Sequence, residues 1–169
     1  MSDISEAIQA KCLAFGDRVI KLNDYLLEKA SQKCDVGSRK YDARKSNSAF
    51  GHQSSESSQT SGFKHQTSHV PVHLKSVAVL SNQLLRSGTS IGANNAEATN
   101  AVSKADYRSK SYIALKEARE SLYWIELMHR NDYLDDKQYQ SIYADCEELV
   151  KILVSRCKKL DEQLNVEKK

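Results

Sequence analysis

Along residues 8–26, Ile8, Cys12, Phe15, Val19, Leu22 and Leu26 recur at alternating steps of four and three, with mostly polar residues between them. That spacing keeps returning to one side of a helix and predicts a single apolar stripe. Asp3 with Glu6 three residues on makes an acidic variant of the capping box at the start of this helix, whose end is predicted near Lys33. Periodic order returns at Pro71, which suits a first helical turn because its missing N–H would be unpaired there anyway. Val77, Leu80, Leu84, Ile91, Ala98 and Val102 then share a face, with Gly88 and Asn95 inside the same stripe. A third helix is predicted from the cap Ser103 with Asp106, with Leu115, Ala118, Leu122 and Ile125 as its stripe. The fourth starts at a capping box of Asp135 and Gln138; Ile142, Cys146, Leu149, Leu153 and Leu160 follow in a four-three rhythm that Arg156 interrupts.

Helices of about 25 to 30 residues would each be roughly 40 Å long, and short connections after the second and third favour antiparallel neighbours. The fold class expected is all-α: an antiparallel up-down-up-down four-helix bundle, one domain over residues 1–169, with a long polar insertion between helices one and two. That insertion, residues 34–70, carries nine serines and few large apolar groups, too few to offset the entropy of ordering it, so it reads as flexible. Two roles are open for it. A neutral linker costs little, since loop closure grows only logarithmically with length; a basic contact arm is the alternative, because Arg39, Lys40, Arg44, Lys45 and Lys64 outnumber Asp35, Asp42 and Glu56.

Composition narrows the function classes. No apolar run approaches the ~20 residues that span a bilayer, and the opening residues lack the pattern of a secretory leader, so a cytoplasmic protein with no membrane contact is expected. Cys12, Cys34, Cys146 and Cys157 are scattered without a CxxC pair and read as reduced thiols. Phosphate-cradling, dinucleotide, nucleophile-elbow and zinc-protease motifs are missing, so neither an enzyme nor a cofactor is expected. Glu126 and His129 supply one Glu-x-x-His pair where a di-iron bundle needs two. His65, His69 and His73 are four apart, but Pro71 falls between the last two, and a chance polar cluster is the favoured reading.

The segment from Arg86 to Ala98 is the most informative. Ser87, Gly88, Thr89, Ser90, Gly92 and Ala93 are a costly choice for an isolated helix, so close approach of a neighbouring helix or another subunit is expected to compensate. Asn94, Asn95 and Glu97 add polar groups beside that smooth surface, and any of them that is buried must be hydrogen-bonded. Ser90, Ile91, Ala93, Asn94 and Glu97, followed on the next helix by Ile113, Ala114, Ala118 and Glu120, make a paired signature. With it the chain resembles the bacterial four-helix-bundle proteins grouped with the 23S rRNA-intervening sequence proteins and related to the accessory variability proteins of diversity-generating retroelements. The resemblance implies a homopentameric ring with a central channel and, for some relatives, binding to nucleic acid and a reverse transcriptase. Two departures stand out: the insertion is longer than the family's connection, and Asn95–Ala96 is more polar than the family's usual residues there.

Charge bears on the nucleic-acid expectation. Lys and Arg outnumber Asp and Glu by eight to five over residues 72–130, whereas residues 131–169 carry seven against nine. Lys104, Arg108, Lys110, Lys116 and Arg119, with Tyr107 and Tyr112 among them, are candidates for a basic strip with stacking groups on helix three. An ordinary solvated face is the competing reading, since Glu117 and Glu120 lie among them. The functional expectation is an oligomeric RNA- or DNA-binding accessory protein partnered with a reverse transcriptase. A protein-protein scaffold, or a ribosomal RNA intervening-sequence protein without nucleic-acid binding, is the alternative.

Overall fold

The computed structural model describes the backbone of residues 3–46 and 72–166 and the side chains of 5–32 and 74–164. These residues form α1 (Asp3–Ser46), α2 (Val72–Thr99), α3 (Lys104–Arg130) and α4 (Asp136–Val166). Each helix packs on its neighbour in the chain, and α4 closes back onto α1. Cross-helix partners run in opposite senses throughout. On α1 and α4, Lys11 meets Glu148 at 2.9 Å and Arg18 meets Asp145. On α2 and α3, Arg86 meets Glu120 at 2.7 Å and Glu97 meets Lys110. On α3 and α4, Arg108 meets Asp161 at 2.5 Å and Glu126 meets Tyr139 at 2.6 Å. The arrangement is the expected antiparallel up-down-up-down bundle. Among the described residues no helix is long and apolar enough to cross a membrane.

The core is built from the predicted stripes. Cys12, Phe15 and Val19 of α1 meet Leu84 and Ile91 of α2, Ala114, Ala118 and Ile125 of α3, and Cys146, Leu149 and Leu153 of α4. Leu22, Leu80 and Leu122 are partly buried against this cluster. Two expected caps are formed. Ser103 Oγ accepts from Asp106 N at 3.1 Å, and Asp135 and Gln138 exchange reciprocal bonds, Gln138 N to Asp135 Oδ1 at 2.8 Å and Asp135 N to Gln138 Oε1 at 3.1 Å. The α3–α4 connection turns through Asp132 in the left-handed region (φ 59°). Asp132 N bonds to His129 O and Tyr133 N to Met128 O, the pairing that closes a helix end.

Two expectations need correction. Helix one does not stop near Lys33: α1 continues to Ser46, through residues that contain one Gly, no Pro and several good helix formers, Arg39, Lys40, Ala43, Arg44 and Lys45. The proposed polar insertion is therefore helical over residues 34–46, while residues 47–71, with His65, His69 and Pro71, lie outside the described residues. Val102 does not join the stripe of α2. It is 94% exposed, because the helix ends at Thr99, where Thr99 Oγ1 and Asn100 Nδ2 turn back to the Ala96 carbonyl at 2.7 and 3.1 Å.

The small residues of α2 serve the α1–α2 contact unequally. A methyl group on Gly88 would lie 3.0 Å from Val19 Cγ2, whereas one on Gly92 would lie 3.5 Å from Cys12 Cβ, an ordinary contact. Gly88→Ala is therefore expected to be less favourable than Gly92→Ala, because Val19 must give way against the same gain in helix propensity. Gly92→Ala is expected to be neutral or to raise stability by up to about 1 kcal/mol through helix propensity. Urea unfolding of the two variants checks this; equal losses in both would contradict it.

Candidate functional site

The paired signature divides into an inner and an outer set. On the inner side, Ile91, Ala114 and Ala118 are buried, and the wholly buried Ser87 and Ser121 meet at 2.9 Å across α2 and α3. Glu97 and Glu120 clamp the same two helices from outside: Lys110 donates to Glu97, while Arg86 and Trp124 Nε1 both donate to Glu120 Oε1, at 2.7 and 3.1 Å. Asn94 turns back onto its own helix, bonding to Ser90 O at 2.9 Å. On the outer side, Ala93 is exposed. It borders a shallow groove of about 280 Å³ between α1 and α2 that also takes in Leu13, Gly16, Ile20 and Gly92. Leu13 and Ile20 are exposed apolar side chains, and a methyl group on Gly16 would meet nothing within 4 Å. The small residues thus build one contact inside the bundle and leave a second smooth surface outside it.

Within the predicted basic strip on α3, Arg108 and Lys110 lie on different flanks of the helix. Arg108 lies against Asp161 and over the Tyr112 ring, its Cζ 4.7 Å from the centroid. Tyr112 Oη donates to the same carboxylate at 2.6 Å. These two bonds, from Tyr112 and then Arg108, hold the Asp161 carboxyl below the usual carboxylate range. Lys110 is on the opposite flank with Glu97, and its ammonium is raised by that bond. Lys116 and Arg119 stay on the exposed outer side of α3. Arg39, Lys40, Arg44 and Lys45 fall on the helical extension of α1, and their side chains lie outside the described residues.

Lys104 and Tyr107, by contrast, stand at the end of the bundle where α1 and α3 begin and α2 and α4 finish. Two clefts of about 590 and 420 Å³ open there and share Ser5, Tyr107, Leu160 and Gln163. Lys151, Arg156 and Lys159 of α4 line the larger, Lys104 the smaller, and no Asp or Glu is among the described residues lining either. Deeper in the larger cleft lie Ile8 and Leu160, both buried, and the partly buried Ile152. Lys151 also reaches Glu147 at 2.8 Å, an exposed pair that competes weakly with another anion. The α4 cations escape a count of charges by segment, because the acidic first half of that helix outweighs them. Their helical spacing is the signal: Lys151, Ser155, Lys159 and Gln163 are each four apart, a row without a carboxylate.

Arg156 is anchored from the core. Its Nη1 donates to Asn95 Oδ1 at 2.6 Å, and Asn95 Nδ2 donates to Gln9 Oε1. Gln9 Nε2 reaches Gly92 O at 3.5 Å. Asn95 is completely buried, so the two polar interruptions of the apolar stripes satisfy each other across the bundle. The guanidinium also lies 5.7 Å from the Tyr107 ring centroid, and its Nη2 is buried without a partner among the described residues.

Other titratable groups point elsewhere. Burial pushes the Cys12 thiol to about 11 and the Cys146 thiol to about 12, far from the thiolate that a nucleophile or metal ligand needs. Among the described residues no group of three His, Cys, Asp or Glu is placed to hold a metal ion. Glu126 and His129 are occupied at the α3–α4 corner: Tyr139 donates to Glu126, and the His129 ring stacks on Tyr139 at 4.1 Å.

Compared with known proteins, residues 53–155 match the sequence pattern of the family described as 23S rRNA-intervening sequence protein. Among solved structures, the chain is similar to a Bacteroides thetaiotaomicron protein of unknown function from the S23 ribosomal protein family. The two are 34% identical with a TM-score of 0.62, over 91% of this chain and 97% of that one. No curated protein matches.

The Asn95–Arg156 bond yields a stability prediction. Asn95→Ala is expected to cost about 1.5 to 3 kcal/mol, because it strands a charged donor that is largely removed from water. In a double-mutant cycle, Asn95→Leu combined with Arg156→Met is expected to cost less than the sum of the single changes, with a coupling of about 0.5 to 3 kcal/mol. Strict additivity in chemical denaturation would show that the two do not interact.

Proposed function

Because the chain belongs to the 23S rRNA-intervening sequence protein family, we propose that it is a non-enzymatic, self-assembling protein of the cytoplasm that binds nucleic acid through phosphates. The observation that carries this reading is the cationic end of the bundle, where Lys104, Lys151, Arg156 and Lys159 border two adjoining clefts. Phosphate chains are the polyanions such a surface fits, and Tyr107 between the clefts adds a ring on which a base can stack.

Self-assembly is supported by the groove between α1 and α2, where exposed Leu13, Ile20 and Ala93 offer an apolar surface to a second copy. A closed ring, pentameric as the resemblance implies, would repeat the cationic end around an axis and raise the local potential well above that of one chain with net charge +3. A reverse transcriptase is the protein partner that the same resemblance implies.

Two measurements test this. Light scattering at micromolar concentration is expected to give a multiple of the chain mass, with Ala93→Arg shifting it toward a monomer while helicity is kept; a wild-type monomer would remove the assembly. Affinity for nucleic acid is expected to fall steeply with salt. Lys151→Gln with Lys159→Gln should flatten the log-log slope by about 1.4 to 1.8, at roughly 0.7 to 0.9 for each phosphate that is no longer neutralised. Lys116→Gln with Arg119→Gln should flatten it less. Absence of binding at low salt by a folded oligomer would leave the protein-protein scaffold as the better account.

A further inference from the structure

We infer that the clefted end of the bundle selects unpaired nucleic acid, taking a base against Tyr107 and the apolar wall of Ile8, Ile152 and Leu160 while Lys151 and Lys159 hold the flanking phosphates. This deepens the nucleic-acid reading above and rests on it. A surface that only neutralises phosphates needs no concavity and no apolar wall, and a duplex keeps its base faces stacked inside. Here the order of burial is the reverse of such a surface: Ile8 and Leu160 are buried, while Lys151 and Lys159 are exposed. The larger cleft, about 590 Å³, falls within the range of sites that enclose small organic ligands. Its chemistry, apolar and aromatic within and cationic at the edge, suits a nucleotide with its base inward and its phosphate outward. The smaller cleft beyond Tyr107, about 420 Å³ with Lys104 on it, continues the path for a neighbouring nucleotide. Arg156 is held from inside the bundle by Asn95 at 2.6 Å with its Nη2 buried, so it places a fixed positive charge behind the cleft rather than a contact to phosphate.

The test uses the full chain and fluorescence anisotropy at one salt concentration, with a 12-nucleotide single strand and a hairpin duplex containing the same sequence. The single strand is expected to bind at least tenfold more tightly. Tyr107→Ala should weaken single-strand binding about 5- to 150-fold, the range that base stacking supplies, and leave the duplex unchanged. Tyr107→Phe, which keeps the ring, should retain single-strand affinity, and unchanged thermal melting of both variants separates loss of stacking from loss of fold. A nucleoside monophosphate should compete with the single strand at millimolar concentration if one nucleotide fills the larger cleft, and failure to compete would overturn that placement. Equal binding of strand and duplex, or an equal effect of Tyr107→Ala on both, would overturn selectivity while leaving phosphate binding intact. No binding of either would remove both readings.

Discussion

The bond from Arg156 to Asn95 constrains this bundle more tightly than any of its apolar contacts. Apolar stripes tolerate sliding, since Leu149, Leu153 and Leu160 could each pack against several neighbours in the facing helices. A buried amide does not, because a shift of α4 by four residues would set Asn95 opposite Ile152 or Leu160 and leave its carbonyl oxygen without a donor, at a cost of about 1 to 3 kcal/mol. With Gln9 accepting from the same amide, one residue ties α1, α2 and α4 into a single register. Polar residues at otherwise apolar positions fix register in this way in other helical assemblies.

That constraint reaches the surface. Arg156 has its guanidinium anchored at the core and its flank on the larger of the two clefts at that end, next to Tyr107. Holding the core register therefore also holds the distances among Lys104, Tyr107, Lys151 and Lys159 at the same end. The outer clamps work alongside it. Glu97 with Lys110 and Glu120 with Arg86 draw α2 and α3 together over the small residues, and at that exposure they contribute orientation more than stability.

Much of this was legible from spacing alone. The four stripes, two caps and the close approach at Gly88 follow from local periodicity and side-chain size, and the structure places them accordingly. The interruptions at Asn95 and Arg156 were equally visible, but that they meet depends on how α2 and α4 face each other, which no single-helix pattern encodes. The partners of two cations of the α3 strip are hidden for a related reason: Arg108 and Lys110 lie near the junctions with α4 and α2, where they meet Asp161 and Glu97. The cations of α4 were hidden by averaging, since charge summed over residues 131–169 mixes an acidic beginning with a basic stretch near the far end. The end of α1 is not legible from its apolar stripe, because a helix ends where its backbone bonds do.

Asn95 is sealed inside the bundle with both of its polar groups engaged. Side-chain amide hydrogen exchange, followed by nuclear magnetic resonance on the folded protein, observes this directly, with the exposed amides of Asn82 and Asn131 as internal references. The Asn95 Nδ2 protons are expected to exchange far more slowly than those two and to show cross-peaks to Gln9 and to the Arg156 guanidinium. Exchange as fast as that of Asn82, with no contact to Arg156, would contradict it.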